Sequence, residues 1–170
     1  MYKMKRLHIY SILVVAFLIH MTVLNYIEIA GAKPDLILMC VIFFAIFLGP
    51  AIGFETGLVA GLAQDLLTFD YFWVNTFILA SAGLAAAIVS DNLFRESRAT
   101  QFLLVFLSVC LSSSLHFFIF SAVSKNSNFN FYGFFLNSVI PTAIYTTAVS
   151  IPVFIRFIDM FKLREQDEFL

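Results

Sequence analysis

The sequence predicts an all-α integral membrane protein, built as a bundle of about six transmembrane helices. Its composition is the first observation: of 170 residues, 61% are hydrophobic and 12% are charged, and the mean hydropathy is +0.94. A soluble domain of this size would have nowhere to bury so much apolar surface. The second observation is that apolar stretches separated by short loops fill nearly the whole chain, which excludes most classes of soluble enzyme.

The spans follow from the length that a bilayer requires, about 20 apolar residues for about 30 Å of hydrocarbon. The first, 7–27, is too long for a signal-peptide core and has no convincing cleavage site. Residues 36–67 are too many for one span, and Gly49-Pro50 divides them, because proline lacks the amide that a helix interior needs. The chain 1–170 is then a single membrane domain with spans at 7–27, 35–48, 51–67, 73–90, 102–123 and 134–157, the last bent by Pro141 and Pro152.

The basic residues predict that both termini are cytoplasmic. Lysine and arginine are retained on the cytoplasmic side of a membrane, and six spans place both termini on one side. With the N-terminus inside, Lys33 and Lys125 lie outside, and the other basic residues lie inside. A five-span chain would put the last basic clusters on the wrong side. The inner residues are Lys3, Lys5, Arg6, Arg95, Arg98, Arg156, Lys162 and Arg164.

The most specific local pattern is the glycine stripe, defined as Gly53, Gly57, Gly61 and Asp65. The spacing of four places these residues along one face of the third helix. Small residues let another helix approach closely, so the stripe is either a structural packing seam or a contact for a partner's membrane helix. A carboxylate in hydrocarbon needs a partner, a water-filled cavity or the headgroup region, and Asp65 falls near the outer end of its helix.

Polar residues of five predicted helices fall in the outer half of their spans. If their faces converge, they line a pocket or polar joint that opens outward and holds a ligand, a partner helix or ordered waters. For the two histidines, interhelical hydrogen bonds and a joint role in ligand binding or proton relay both stay open. The set is His20, Asn25, Asp65, Asn75, His116 and Asn137.

Motifs of common catalytic and metal sites are absent from the sequence, including HExxH, GxSxG, CxxC and a glycine-rich phosphate loop. Ser112 and Ser113 share a helix side with His116, but without an acid partner they are expected to be a packing cluster. Cys40 and Cys110 lie in apolar runs and should pack as small hydrophobes. We therefore expect no enzyme activity, no cofactor and no metal. A net charge of −1 leaves no basic patch for nucleic acid.

One part of the chain resembles the bacterial rod shape-determining protein MreD family. It runs from Lys33-Pro34-Asp35-Leu36 through Phe47-Leu48-Gly49-Pro50 to the glycine stripe and Asn75. The basic N-terminus, the length and the number of spans are similar to that family as well. The motif residues outside the stripe are Pro34, Asp35, Gly49 and Pro50. The chain has Trp73-Val74 where the family usually carries a glycine before the asparagine.

The resemblance implies a non-catalytic, multi-pass scaffold of the bacterial inner membrane that serves cell elongation and helps to position peptidoglycan synthesis. It implies direct binding to MreC, indirect association with MreB, RodA and the elongation transpeptidase, and contact with membrane lipid. The glycine stripe would receive the partner's helix, so that Gly57→Leu or Gly61→Leu weakens association but not insertion. The family is also similar to the substrate-binding membrane components (S-components) of vitamin transporters. The alternative function is therefore a small-molecule-binding transporter component with a pocket in the outer half of the bilayer.

Overall fold

A computed structural model describes residues 6–22, 32–68, 73–91, 97–124 and 130–167. Over these residues the predicted all-α fold is confirmed: six long helices and one short one account for nearly all of the chain, and no strand is formed. A π-helical segment, Phe135–Val139, precedes Pro141, where the missing amide interrupts the regular hydrogen-bond ladder. The helices are α1 (Arg6–Thr22), α2 (Leu36–Leu48), α3 (Pro50–Thr68), α4 (Val74–Asp91), α5 (Arg98–Ser124), α6 (Phe131–Phe134) and α7 (Ile140–Asp167).

Three helical stretches of the described chain are long and apolar enough to cross a membrane, namely Val74–Asp91, Arg98–Ala122 and Phe131–Phe157. Two further helices, α1 and α2, are apolar but shorter. At 19 residues, α3 measures about 28 Å, but its glycines and polar residues lower its hydropathy. The six-span topology with both termini in the cytoplasm stays a prediction.

The short helix α2 lies at the centre of the bundle. All of its residues except Leu36 are buried, and α1, α3, α4, α5 and α7 pack around it. Phe43 meets α7, with its ring centroid 5.7 Å from that of Phe154 and 5.6 Å from that of Phe157. Because protein rather than lipid surrounds α2, a helix of about 20 Å is accommodated although it is shorter than the hydrocarbon layer. Its uniformly apolar sequence suits this position.

The reversal expected at Gly49-Pro50 is present. Gly49 has a φ of 93° and a ψ of 179°, and its amide donates to the Ala45 carbonyl at 3.0 Å, which ends α2. Only glycine adopts this backbone conformation readily. Pro50 then begins α3, where a missing amide costs nothing because the first amides of a helix have no partner within it. Two residues therefore turn the chain from α2 directly into α3.

A polar cluster ties α1 to α3 near the beginning of both helices. The Tyr10 hydroxyl donates to Glu55, and the Arg6 guanidinium lies 3.6 Å from the same carboxylate. We call this the Glu55 end of the bundle. The opposite end, where α3 finishes and α4 starts, is called the Asp65 end.

Candidate functional site

The glycine stripe of α3 lies against α4 of the same chain. Gly53, Gly57 and Gly61 are buried; Gly57 and Gly61 face α4, and Gly53 lies between α4 and Ala45 of α2. The residues that they meet are, in the same order, Gly83, Leu79 and Thr76. Because the numbers on α4 fall as those on α3 rise, the two helices run antiparallel. Their backbones meet along most of the stripe.

These contacts leave no room for a side chain on α3. A Cβ atom on Gly53 would lie 2.8 Å from the Gly83 carbonyl oxygen, and one on Gly57 would lie 2.8 Å from the Ala80 Cα and closer still to the Leu79 carbonyl. Such contacts essentially never fall below 3.0 Å. The contacts show an internal packing seam, and the use of the stripe by a partner's helix stays a prediction. A partner's helix would have to displace α4 to use it.

Asp65, the last member of the stripe, caps the N-terminus of α4 from the neighbouring helix. Its Oδ1 accepts from the Asn75 amide at 3.0 Å and from Asn75 Nδ2 at 2.9 Å. Its Oδ2 accepts from the Thr76 amide at 2.9 Å and from Thr76 Oγ1 at 2.5 Å. The first amides of a helix lack intrahelical partners, and the positive end of the helix dipole favours a carboxylate. These bonds offset the cost of a side chain that is only 1% exposed.

Trp73 explains why this cap comes from α3. The residue before a helix usually supplies the cap through a Ser, Thr, Asp or Asn side chain, and tryptophan has no such acceptor. Trp73 also has a φ of 79°, in the left-handed region that favours glycine. The first turn of α4 is therefore held by Asp65 of the neighbouring helix.

A polar cavity of about 210 Å³ lies at the Asp65 end of the bundle. It is lined by residues of α1, α3, α4, α5 and the first turn of α2. Leu38, Ile78 and Leu79 form part of its apolar wall. Its polar lining residues are His20, Asp35, Gln64, Asn75, Ser112, Ser113 and His116.

The cavity brings together part of the polar set that the sequence singled out. His20, Asn75 and His116 line it, and Asp65 stands behind Asn75 and holds its amide group. Asn137 lies apart, exposed on the π-helical segment, and Asn25 lies outside the described residues. Convergence is thus seen for three members of the set. That this end faces outward stays a prediction.

Asp35 lines the cavity and also forms hydrogen bonds with α2 and α7. Its Oδ1 accepts from the Leu38 amide at 3.0 Å and caps α2, whereas its own amide donates to Thr146 Oγ1 of α7 at 3.0 Å. Pro34, just before it, is buried. The motif residues Pro34 and Asp35 therefore fix where α2 begins, and Asp35 also contributes a carboxylate to the cavity wall.

Sequence reasoning treated Asp35 only as a motif residue and missed Gln64 and Thr76. Gln64 directly precedes Asp65 in an otherwise apolar stretch, so a paired polar signal was present. Thr76 follows Asn75 in the first turn of α4, where hydroxyl side chains often bond to local backbone groups. Neither signal identifies the helix against which these residues pack, because the choice of helix depends on tertiary packing.

A second, apolar space adjoins the polar cavity at His116. This aromatic groove has a volume of about 380 Å³ and is defined by Val74, His116, Phe117, Ile119, Phe120, Asn130 and Phe134. Phe117 stacks on Phe134 with ring centroids 4.8 Å apart. His116 lines both spaces, so it lies between the polar cavity and the aromatic groove.

No group of three or more His, Cys, Asp or Glu side chains is placed to hold a metal ion in the part of the chain that the structure describes. What the cavity offers is a carboxylate, amides, hydroxyls and imidazoles. This is an arrangement suited to binding a polar group by hydrogen bonds and charge.

Comparison with known proteins gives one match. Residues 2–164 match the family model described as rod shape-determining protein MreD. The match reaches from the start of the chain into α7 and includes every residue that lines the polar cavity. No curated protein matches the chain, and no solved structure matches it.

Proposed function

The chain belongs to the rod shape-determining protein MreD family, and from this we propose that it is a non-catalytic membrane scaffold that binds MreC directly and helps to position peptidoglycan synthesis. The family is a structural, membrane-associated one with a role in rod-shape determination, and the match over residues 2–164 is the observation that carries the proposal. MreB, RodA and the elongation transpeptidase join the assembly indirectly, and the scaffold resides in the bacterial inner membrane.

The close packing of α3 against α4 supports a scaffold in which these two helices form one unit. The glycine stripe joins α3 to α4 backbone to backbone, and Asp65 engages both Asn75 and Thr76. Since α4 covers the stripe, the MreC helix is expected on another surface of the bundle. Substitutions in the stripe should then weaken MreC binding only to the extent that they unfold the protein.

Co-purification from the native membrane tests the scaffold. Tagged protein is extracted in mild detergent, and the proteins that accompany it are identified by mass spectrometry. We expect MreC in near-stoichiometric amount, with other elongation proteins at lower yield. Absence of MreC from an extract in which both proteins are present and folded would contradict the proposal.

The alternative, a small-molecule-binding component of a transporter, is favoured by one observation, the polar cavity at the Asp65 end. Its groups converge from several helices, and aromatic side chains stand beside them, as solute sites require. Recovery of an ATPase together with a transmembrane coupling subunit in the same extract would favour this function over the scaffold.

A further inference from the structure

The polar cavity has a carboxylate on its wall, and its described lining residues include no lysine or arginine. Asp35 is the one carboxylate among the described lining residues. Lys33, two positions earlier, is exposed and does not line the cavity. Asp65 stands behind Asn75 and adds a second carboxylate next to the cavity, held by hydrogen bonds from Asn75 and Thr76. A recess in low-dielectric surroundings focuses the field of such carboxylates and attracts a cation.

Atoms that can accept hydrogen bonds belong to residues of the same wall; His20 Nδ1 is one of them in the tautomer with the proton on Nε2. His20 Nδ1 is buried and has no hydrogen-bond partner among the described residues, a costly state for a polar atom. Asn75 gives its amide nitrogen to Asp65 at 2.9 Å, which leaves the amide oxygen to accept. Together with the carboxylate, these atoms suit a group that carries positive charge and several N–H donors.

The size of the cavity and the groove beside it further restrict which ligands can bind. A volume of about 210 Å³ is about that of seven water molecules, enough for a small organic group. Beyond His116 the aromatic groove offers about 380 Å³ with an apolar wall. A hydrocarbon chain fits that groove, whereas a free polar solute gains nothing from it.

We propose that the polar cavity binds a ligand through a protonated primary amine. The ammonium lies beside the Asp35 carboxylate and donates to His20 and Asn75. Its source is either a small soluble amine or the headgroup of an aminophospholipid whose chain lies in the aromatic groove. This site goes beyond the scaffold function and does not depend on it.

Binding is tested with the purified full-length protein in a detergent free of amines. The probes are ethanolamine and dihexanoyl-phosphatidylethanolamine, and dihexanoyl-phosphatidylglycerol is the matched lipid without an amine. Native mass spectrometry detects the complex, and the shift of the unfolding temperature with ligand concentration gives its affinity. We expect the phosphatidylethanolamine probe to bind and the phosphatidylglycerol probe to fail. Binding of ethanolamine alone, with the same dependence on Asp35, assigns the site to a soluble amine instead.

Two variants test the site, and a third serves as the control. Asp35→Asn removes the charge but keeps a good N-cap, so α2 should remain intact while affinity for the amine falls at least about tenfold. Ser112→Leu fills the cavity from α5 and should abolish binding. Asp91→Asn changes an exposed carboxylate at the far end of α4 and should leave affinity unchanged.

Three results would overturn the proposal. They are failure of both amine probes to bind, equal binding of phosphatidylglycerol and phosphatidylethanolamine, and unchanged affinity in Asp35→Asn. If Asp35→Asn does not fold, Ser112→Leu decides, and unchanged affinity in that variant overturns the site.

Discussion

Thr76 donates two hydrogen bonds to one oxygen of Asp65. The Oδ2 atom accepts from the Thr76 amide at 2.9 Å and from the Thr76 hydroxyl at 2.5 Å. The two residues lie on different helices, α3 and α4, and the carboxylate takes the place of an N-cap side chain that Trp73 cannot supply. The start of α4 therefore depends on the end of α3.

Asp65→Ala should lower the free energy of unfolding by about 2–4 kcal/mol. The substitution leaves the backbone amides of Asn75 and Thr76 and the buried Thr76 hydroxyl without their acceptor. The measurement is reversible unfolding in mixed micelles. Thr76→Ser keeps both donors and should stay close to the parent, whereas Thr76→Val loses the hydroxyl and should cost about 1 kcal/mol. Parental stability of Asp65→Ala would show that the cap contributes nothing.

Gly57→Ala should destabilise the α3–α4 pair by about 1–3 kcal/mol. One methyl group on Gly57 meets the Leu79 carbonyl and the Ala80 Cα, so the two backbones must separate. Gly133→Ala is the matched control, because the nearest atom to its Cβ is 3.5 Å away, an ordinary contact. The unfolding temperature of each purified variant gives the comparison. Equal effects at the two glycines would mean that the close approach of α3 and α4 is not maintained in the membrane.

Trp73 should tolerate glycine better than valine. Its φ of 79° costs an L-residue about 1–2 kcal/mol and a β-branched residue more, whereas glycine adopts it freely. Phe77, exposed in regular α4, provides the control, because at that position glycine should cost about 0.5–1 kcal/mol and valine less. The free energies of unfolding of the four variants test the reversal of order. The same order at both positions would remove the argument for strain at Trp73.

Local sequence rules predicted the helices of this fold better than they predicted which helices pack against each other. Gly49-Pro50 specifies a reversal through two residues alone, so the division of the apolar run was accessible from sequence. The uniformly apolar α2 was predicted as a span, but a helix buried in protein and a helix surrounded by lipid have the same composition. The spacing of Gly53, Gly57 and Gly61 predicts a close helix contact and cannot say which helix makes it.

The residues of the candidate site were also predicted only in part from local rules. Depth along a helix can be counted from the sequence, and it placed His20, Asn75 and His116 at similar levels. Rotation about the helix axis cannot be counted in this way, because nearly every face of these helices is apolar. Asn137 was included by depth and lies exposed on the π-helical segment, where the change in helical period also changes which side chains point inward.

Gly49→Ala should destabilise the protein by about 1–3 kcal/mol and shift the turn between α2 and α3. The φ of 93° with a ψ of 179° belongs to a region that is essentially restricted to glycine, unlike the left-handed helical region that asparagine tolerates. Gly49→Asn should therefore be no better than Gly49→Ala, although asparagine often replaces glycine at the end of a helix. Unfolding of both variants beside Gly133→Ala tests this. Rescue by asparagine would indicate that the residue turns through the left-handed helical conformation, with α3 entering the bundle at a different angle.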